Sequence, residues 1–224
     1  MRKWLEIALL FFVPPLLLWQ GWVRFPWAPV LFVACVAIVI WLKRGRGWAW
    51  AQFWRSDDVD AEKREFRRIF IRFVIIAPLL TLLVWLVFPD KLFDLMFSQP
   101  RLWLAILFFY PIFSVYPQEL LFRAFFFERY CDLGDNNIWG RYGQKAKQLL
   151  PIIVNAIAFG WAHVFFPSPL IAVGLCTLGG LLFANSYART RSLRLAVFEH
   201  ALYGDLIFTI GLGEFFFSGR RLPG

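Results

Sequence analysis

Histidine and cysteine are scarce in this chain, with two of the first and three of the second among 224 residues. Cys35, Cys131 and Cys176 are odd in number and show no C-x-x-C spacing. That argues against a disulfide framework or a cysteine-rich zinc site. Cys35 and Cys176 lie in apolar runs and read as small core residues. No Ser or Cys sits in a nucleophile elbow, which disfavours a serine-type hydrolase. Internal repeats and low-complexity tracts are also missing. The apolar run that follows Met1-Arg2-Lys3 resembles a signal peptide, yet no small-x-small cleavage site comes after it. Gln20-Gly21-Trp22-Val23-Arg24 is bulky and basic instead, so this run is expected to remain as a first helix.

Hydrophobic residues, by contrast, make up 60% of the chain, with 27 Phe, 12 Trp and a mean hydropathy of +0.59. Soluble domains hold ~45–50% apolar residues, so the expected fold is an all-α polytopic transmembrane bundle with its site between core helices. A span needs about 20 mostly apolar residues. Seven segments qualify, near 4–20, 27–42, 69–88, 102–127, 149–166, 168–188 and 195–217. The fourth is too long for one perpendicular span and holds Pro111 and Pro117, so it must be kinked, tilted or split. The fifth and sixth are joined by Pro167-Ser168-Pro169, a tight hairpin.

The net charge of +9 has a membrane explanation. Arg2 and Lys3, then Lys43, Arg44, Arg46, Arg55, Lys63, Arg64, Arg67 and Arg68, then Arg129, Arg141, Lys145 and Lys147, then Arg189, Arg191 and Arg194 fall in alternate loops. The intervening loops are poor in Lys and Arg, which predicts a cytoplasmic N-terminus and an outer C-terminus. Arg220 and Arg221 run slightly against this. Such charges meet anionic head groups, so the bilayer is an expected partner and nucleic acid is not. Trp19, Trp22, Trp27, Trp41 and Trp48 fall at span ends, as interfacial anchors do. The charged stretch 56–68 is expected to be a solvated surface helix, capped by Ser56 or Asp57, that leads into the third span.

Ionisable residues inside apolar spans are costly and by default mark a functional site. Here they are few. Glu119 and Arg123 share a helix face and can pair, with Gln118 alongside. His163 lies among Trp161, Val164, Phe165 and Phe166, with Asn155 eight residues earlier on roughly the same face. Tyr203 and Gly204 share the face of His200, and Gly204 allows a close approach. Glu199, next to His200, points elsewhere, and Asp205 follows. Two imidazoles and a carboxylate can bind zinc and leave a position for water. Alternatively, the carboxylate activates water while the histidines donate to an oxyanion. By helical rise, Glu119 lies roughly 14 Å and His200 roughly 9 Å from their cytoplasmic ends, and His163 roughly 20 Å from position 150. The three converge only if the fifth helix is tilted or begins below the membrane surface, and the site then opens towards the cytoplasm.

The order Gln118-Glu119-x-x-x-Arg123, Phe159-x-x-x-His163 and Glu199-His200 resembles the CPBP family. These are the CAAX-prenyl-endopeptidase and bacteriocin-processing (Abi) intramembrane proteases. The resemblance runs from about 114 to 212. It implies an intramembrane endopeptidase, in a bacterial inner (plasma) membrane, that hydrolyses a membrane-associated protein or peptide. Glu119, Arg123, His163 and His200 would be the catalytic group, with Gln118, Asp205 and Asn155 as secondary candidates. A zinc ion on Glu119, His163 and His200 and a metal-free route are both open. The resemblance divides the chain into N-terminal spans with a charged loop (1–100), a catalytic core (101–217) and a tail (218–224). Two positions depart from the family pattern. Gln118 stands where the first Glu is expected, and Gly204 where an Asn or Asp is expected. A rival reading is a non-catalytic scaffold or an ion or proton relay.

Overall fold

The computed structural model describes residues 2–23, 27–46, 54, 56–134 and 143–216, and among them all regular structure is helical. Helix α1 spans 2–19 with a π segment, Ala8–Phe12. It is followed by α2 (Trp27–Arg46), α3 (Val59–Val87) and a short α4 (Asp94–Ser98). The remaining helices are α5 (Pro100–Tyr130), α6 (Gln144–Trp161), α7 (Pro169–Thr190) and α8 (Leu193–Thr209). Each of the seven expected spans corresponds to a helix, although α6 and α8 stop short of the expected ends at 166 and 217, and α3, α5 and α7 are long and apolar enough to cross a bilayer. On α3, Phe70, Val74, Ile75, Leu79 and Leu83 stay exposed. An apolar face of that size is lipid-facing, and the protein is a helical membrane bundle. The exposed Trp19, Trp22 and Trp41 lie near helix ends. Arg24, Trp48, Arg55, Arg141, Arg220, Arg221 and the tail lie outside the described residues, as do the side chains of Trp27, Lys43, Arg46 and Lys145.

Basic residues from alternate loops gather at one end of the bundle. There Lys3 reaches Asp132 at 2.6 Å and Arg129 forms a forked pair with Glu6, which ties α1 to the end of α5. Arg194 and Ser192 both hold Glu62. The opposite end carries the Lys91–Glu214 pair.

The charged stretch 56–68 is mostly exposed and leads into the third span as expected. It forms the first turns of α3, and its cap is Asp58 rather than Ser56 or Asp57, with the Asp58 carboxylate accepting from the Ala61 N–H at 2.8 Å. Glu62 and Glu65 are buried, because α7 and α8 pack over that face. Asp58→Ala is expected to cost about 1 kcal/mol through loss of this cap, read as a lower midpoint in thermal unfolding of the detergent-solubilised protein.

The tight hairpin is present. Gly160 faces Val173 and Thr177, and Gly180 faces Ala156. A Cβ on Gly160 would lie 1.9 Å from Thr177 Oγ1, so the α6–α7 contact is built on the absence of side chains. The hairpin stops α6 at Trp161 and leaves His163 in the turn beyond it.

Candidate active site

The site is organised around α5. Pro111 and Pro117 lack an N–H to donate. The helix neither breaks nor splits there, but widens into π turns at Pro111–Val115 and Leu120–Phe125. A π turn inserts an extra residue and re-aims the side chains around it. The short α-helical stretch between the two, Tyr116–Glu119, carries Gln118 and Glu119.

Glu119 and Arg123 are both 0% exposed, so neither charge can be shielded by solvent. Arg123 Nε lies 3.1 Å from Glu119 Oε2, a Coulombic contact without hydrogen-bond alignment. Arg123 Nη1 donates to Asn155 Oδ1 at 2.6 Å, and Asn155 Nδ2 donates to the Phe122 carbonyl at 2.5 Å. The guanidinium also lies 5.0 Å from the centre of the Phe159 ring and 5.7 Å from that of Phe183. Asn155 therefore serves Arg123.

The other Glu119 oxygen, Oε1, is 2.9 Å from His200 Nδ1. A carboxylate only accepts, so Nδ1 carries the proton and Nε2 of the neutral ring is an acceptor. That Nε2 is 3.2 Å from the Tyr110 hydroxyl. The imidazole stacks on Phe183 with centroids 4.7 Å apart, which holds its plane.

His163 does not join this pair. Its Nδ1 lies 2.8 Å from the Phe159 carbonyl, which can only accept, so its Nε2 is likewise left as an acceptor. The Phe159 ring packs edge-on against both imidazoles, 5.0 Å from His163 and 5.3 Å from His200. Glu119, His163 and His200 thus do not converge. Among the described residues no group of three His, Cys, Asp or Glu is placed to hold an ion. As arranged, these side chains do not fit zinc. The length estimate failed because α6 ends at Trp161, which places His163 beyond the helix rather than within a tilted span.

A cavity of about 1170 Å³ adjoins these groups, lined by Tyr110, Ser114, Gln118, His163, His200 and Gly204 within a mostly apolar wall. Glu119, Arg123, Asn155 and Asp205 do not line it. Asp205 Oδ1 is buried without a hydrogen-bond partner and makes no contact with His200 that would let it replace an amide. The wall runs from Trp41 and Phe125 to Leu17, Val23, Phe165 and Phe166.

Two groups of residues were not singled out by sequence. Glu199 turns away from His200, as adjacent helix positions must, and pairs with Arg72 at 2.9 Å. Arg72 also meets Glu65 at 3.2 Å, and the Ser186 hydroxyl donates to Glu199 at 2.6 Å. This buried network ties α3, α7 and α8 together. Its members are far apart in sequence, although Arg72 and Glu199 each interrupt an expected span. Tyr110 and Ser114, by contrast, had a readable signal: with Gln118 they form a stripe of polar side chains at four-residue steps along an apolar helix. Gln118 Nε2 donates to Ser114 Oγ at 2.8 Å, while its Oε1 is buried without a partner.

Residues 100–204 match the family model of the type II CAAX prenyl endopeptidase Rce1-like proteins. No curated protein and no solved structure matches the chain.

Proposed function

We propose that this chain is a CAAX-type membrane protease of the CPBP family, a reading its match over residues 100–204 supports, and that it hydrolyses a peptide bond of a membrane-associated protein or peptide with His200 as the base. The supporting observation is the buried series Arg123, Glu119 and His200, whose last member alone lines the cavity. Glu119 accepts the Nδ1–H of His200 and fixes the tautomer, and Arg123 balances the carboxylate's charge. Nε2 takes a proton from water as the water oxygen bonds to the carbonyl carbon and the carbonyl π electrons move onto oxygen. The proton then passes from Nε2 to the amide nitrogen as the C–N bond breaks, so none is gained or lost overall. Glu119 acts through His200 here and does not touch the water itself. His163 Nε2 is an acceptor for a substrate N–H group along the cavity wall. We further propose a bacterial inner membrane with the basic end and N-terminus in the cytoplasm.

Purified protein in liposomes, offered a library of membrane-tethered peptides, tests this reading. Cleavage by the wild type and its loss in His200→Ala are the expected results. Equal cleavage by both proteins would refute the assignment.

One observation favours a second reading, a peptide-binding scaffold that does not cut. Gln118, an amide at the family's first carboxylate position, lines the cavity, whereas Glu119 does not. On that reading the wild type binds peptides without cleaving them, and Gln118→Glu introduces cleavage.

A further inference from the structure

The proposed reaction needs a hydrogen-bond donor for the oxygen that gains charge, and neither histidine can serve. Both Nδ1 protons are committed, one to Glu119 and one to the Phe159 carbonyl, so both Nε2 atoms present lone pairs. The Gln118 amide gives one of its two N–H groups to Ser114, and it is not the group that meets the base. Tyr203 lines the cavity as well, but the hydroxyl at the base is that of Tyr110, 3.2 Å from His200 Nε2.

The backbone opposite makes room for this ring. Gly204 lies one helical turn after His200, on the same face. A Cβ there would sit 2.3 Å from Tyr110 Cε1 and 2.6 Å from its hydroxyl oxygen. Any other residue at 204 would therefore push the ring off His200. Tyr110 is also held by edge-on packing against Phe208, with centroids 5.2 Å apart. It is the last residue before the π turn at Pro111–Val115.

Resting on the protease reading, we propose that Tyr110 is the oxyanion donor of this site and that Gly204 is its fitting partner. At rest the phenol donates to His200 Nε2 and caps the base. When water occupies Nε2, the hydroxyl is released to the carbonyl oxygen of the scissile bond. It donates a hydrogen bond there as the carbon becomes tetrahedral and keeps its own proton throughout. The departure from the family pattern at position 204 is then an exchange of donors. A side chain on α8 is given up, and a phenol from α5 occupies the vacated volume.

Tyr110→Phe retains the ring and removes only the donor. It is expected to lower kcat by about 10²–10³-fold, the usual effect of losing one oxyanion donor, with KM little changed. Gly204→Ala should lower kcat similarly by displacing the ring, and the double variant should be no worse than Tyr110→Phe alone. A binding measurement separates chemistry from packing. Tyr110→Phe should weaken a peptide aldehyde, which binds as a tetrahedral hydrate, and leave binding of the matching peptide alcohol unchanged. Full activity in Tyr110→Phe, with His200→Ala inactive, overturns the tyrosine proposal and leaves the protease reading standing. Equal weakening of aldehyde and alcohol also overturns it. A wild type that cleaves nothing overturns both.

Discussion

Glu119→Gln is expected to lower kcat by about 10⁴-fold, the scale seen when the carboxylate behind a catalytic histidine becomes an amide. The side chain keeps its shape, so substrate binding should change little. What is lost is the acceptor charge that holds the Nδ1–H tautomer of His200, 2.9 Å away. An amide can turn its N–H towards Nδ1, which favours the wrong tautomer and removes the lone pair at Nε2. The comparison with His200→Ala carries the mechanism. If Glu119 works only through His200, the double variant is no slower than His200→Ala alone, because the two act as one unit. Additive losses in steady-state cleavage would mean that Glu119 has a separate role, and the relay would have to be abandoned.

Arg123→Met is expected to destabilise the folded protein by about 3–5 kcal/mol, the usual cost of removing one partner of a buried ion pair. Methionine fills much of the volume, so the loss is electrostatic more than steric. Glu119 would be left at 0% exposure with its nearest positive charge gone, and Asn155 Oδ1 would lose its donor. The packing of the guanidinium on Phe159 and Phe183 would go as well. Thermal unfolding in detergent micelles should show the drop. Glu119→Gln together with Arg123→Met should be less destabilised than the sum of the single losses, since the orphaned charge is then absent. Strict additivity would mean that the 3.1 Å contact contributes nothing to stability.

Several features were legible before any coordinates. The apolar runs marked the helices, because a chain in lipid must satisfy its backbone within each span. The ionisable residues within those runs marked Glu119, Arg123, His163 and His200, because each is costly in hydrocarbon. The Pro167-Ser168-Pro169 hairpin was legible because so short a link leaves two helices side by side. The charged start of α3 was read as solvated, which holds for most of it but not for two carboxylates. Local polarity suggested solvent, yet Glu62 and Glu65 find arginine and serine partners on helices more than a hundred residues away.

Composition and local periodicity were enough for a helical membrane bundle and for a short inventory of reactive side chains, since hydrophobic burial and the cost of charge in lipid act residue by residue. Which of those side chains meet depended on long-range packing. Glu119 and His200 come together across 81 positions, and His163 is set apart because α6 ends before it and Phe159 stands between the imidazoles. The role of Gly204 was hidden for the same reason. An empty Cβ position has no chemistry of its own, and its meaning appears only when the Tyr110 ring is found filling it.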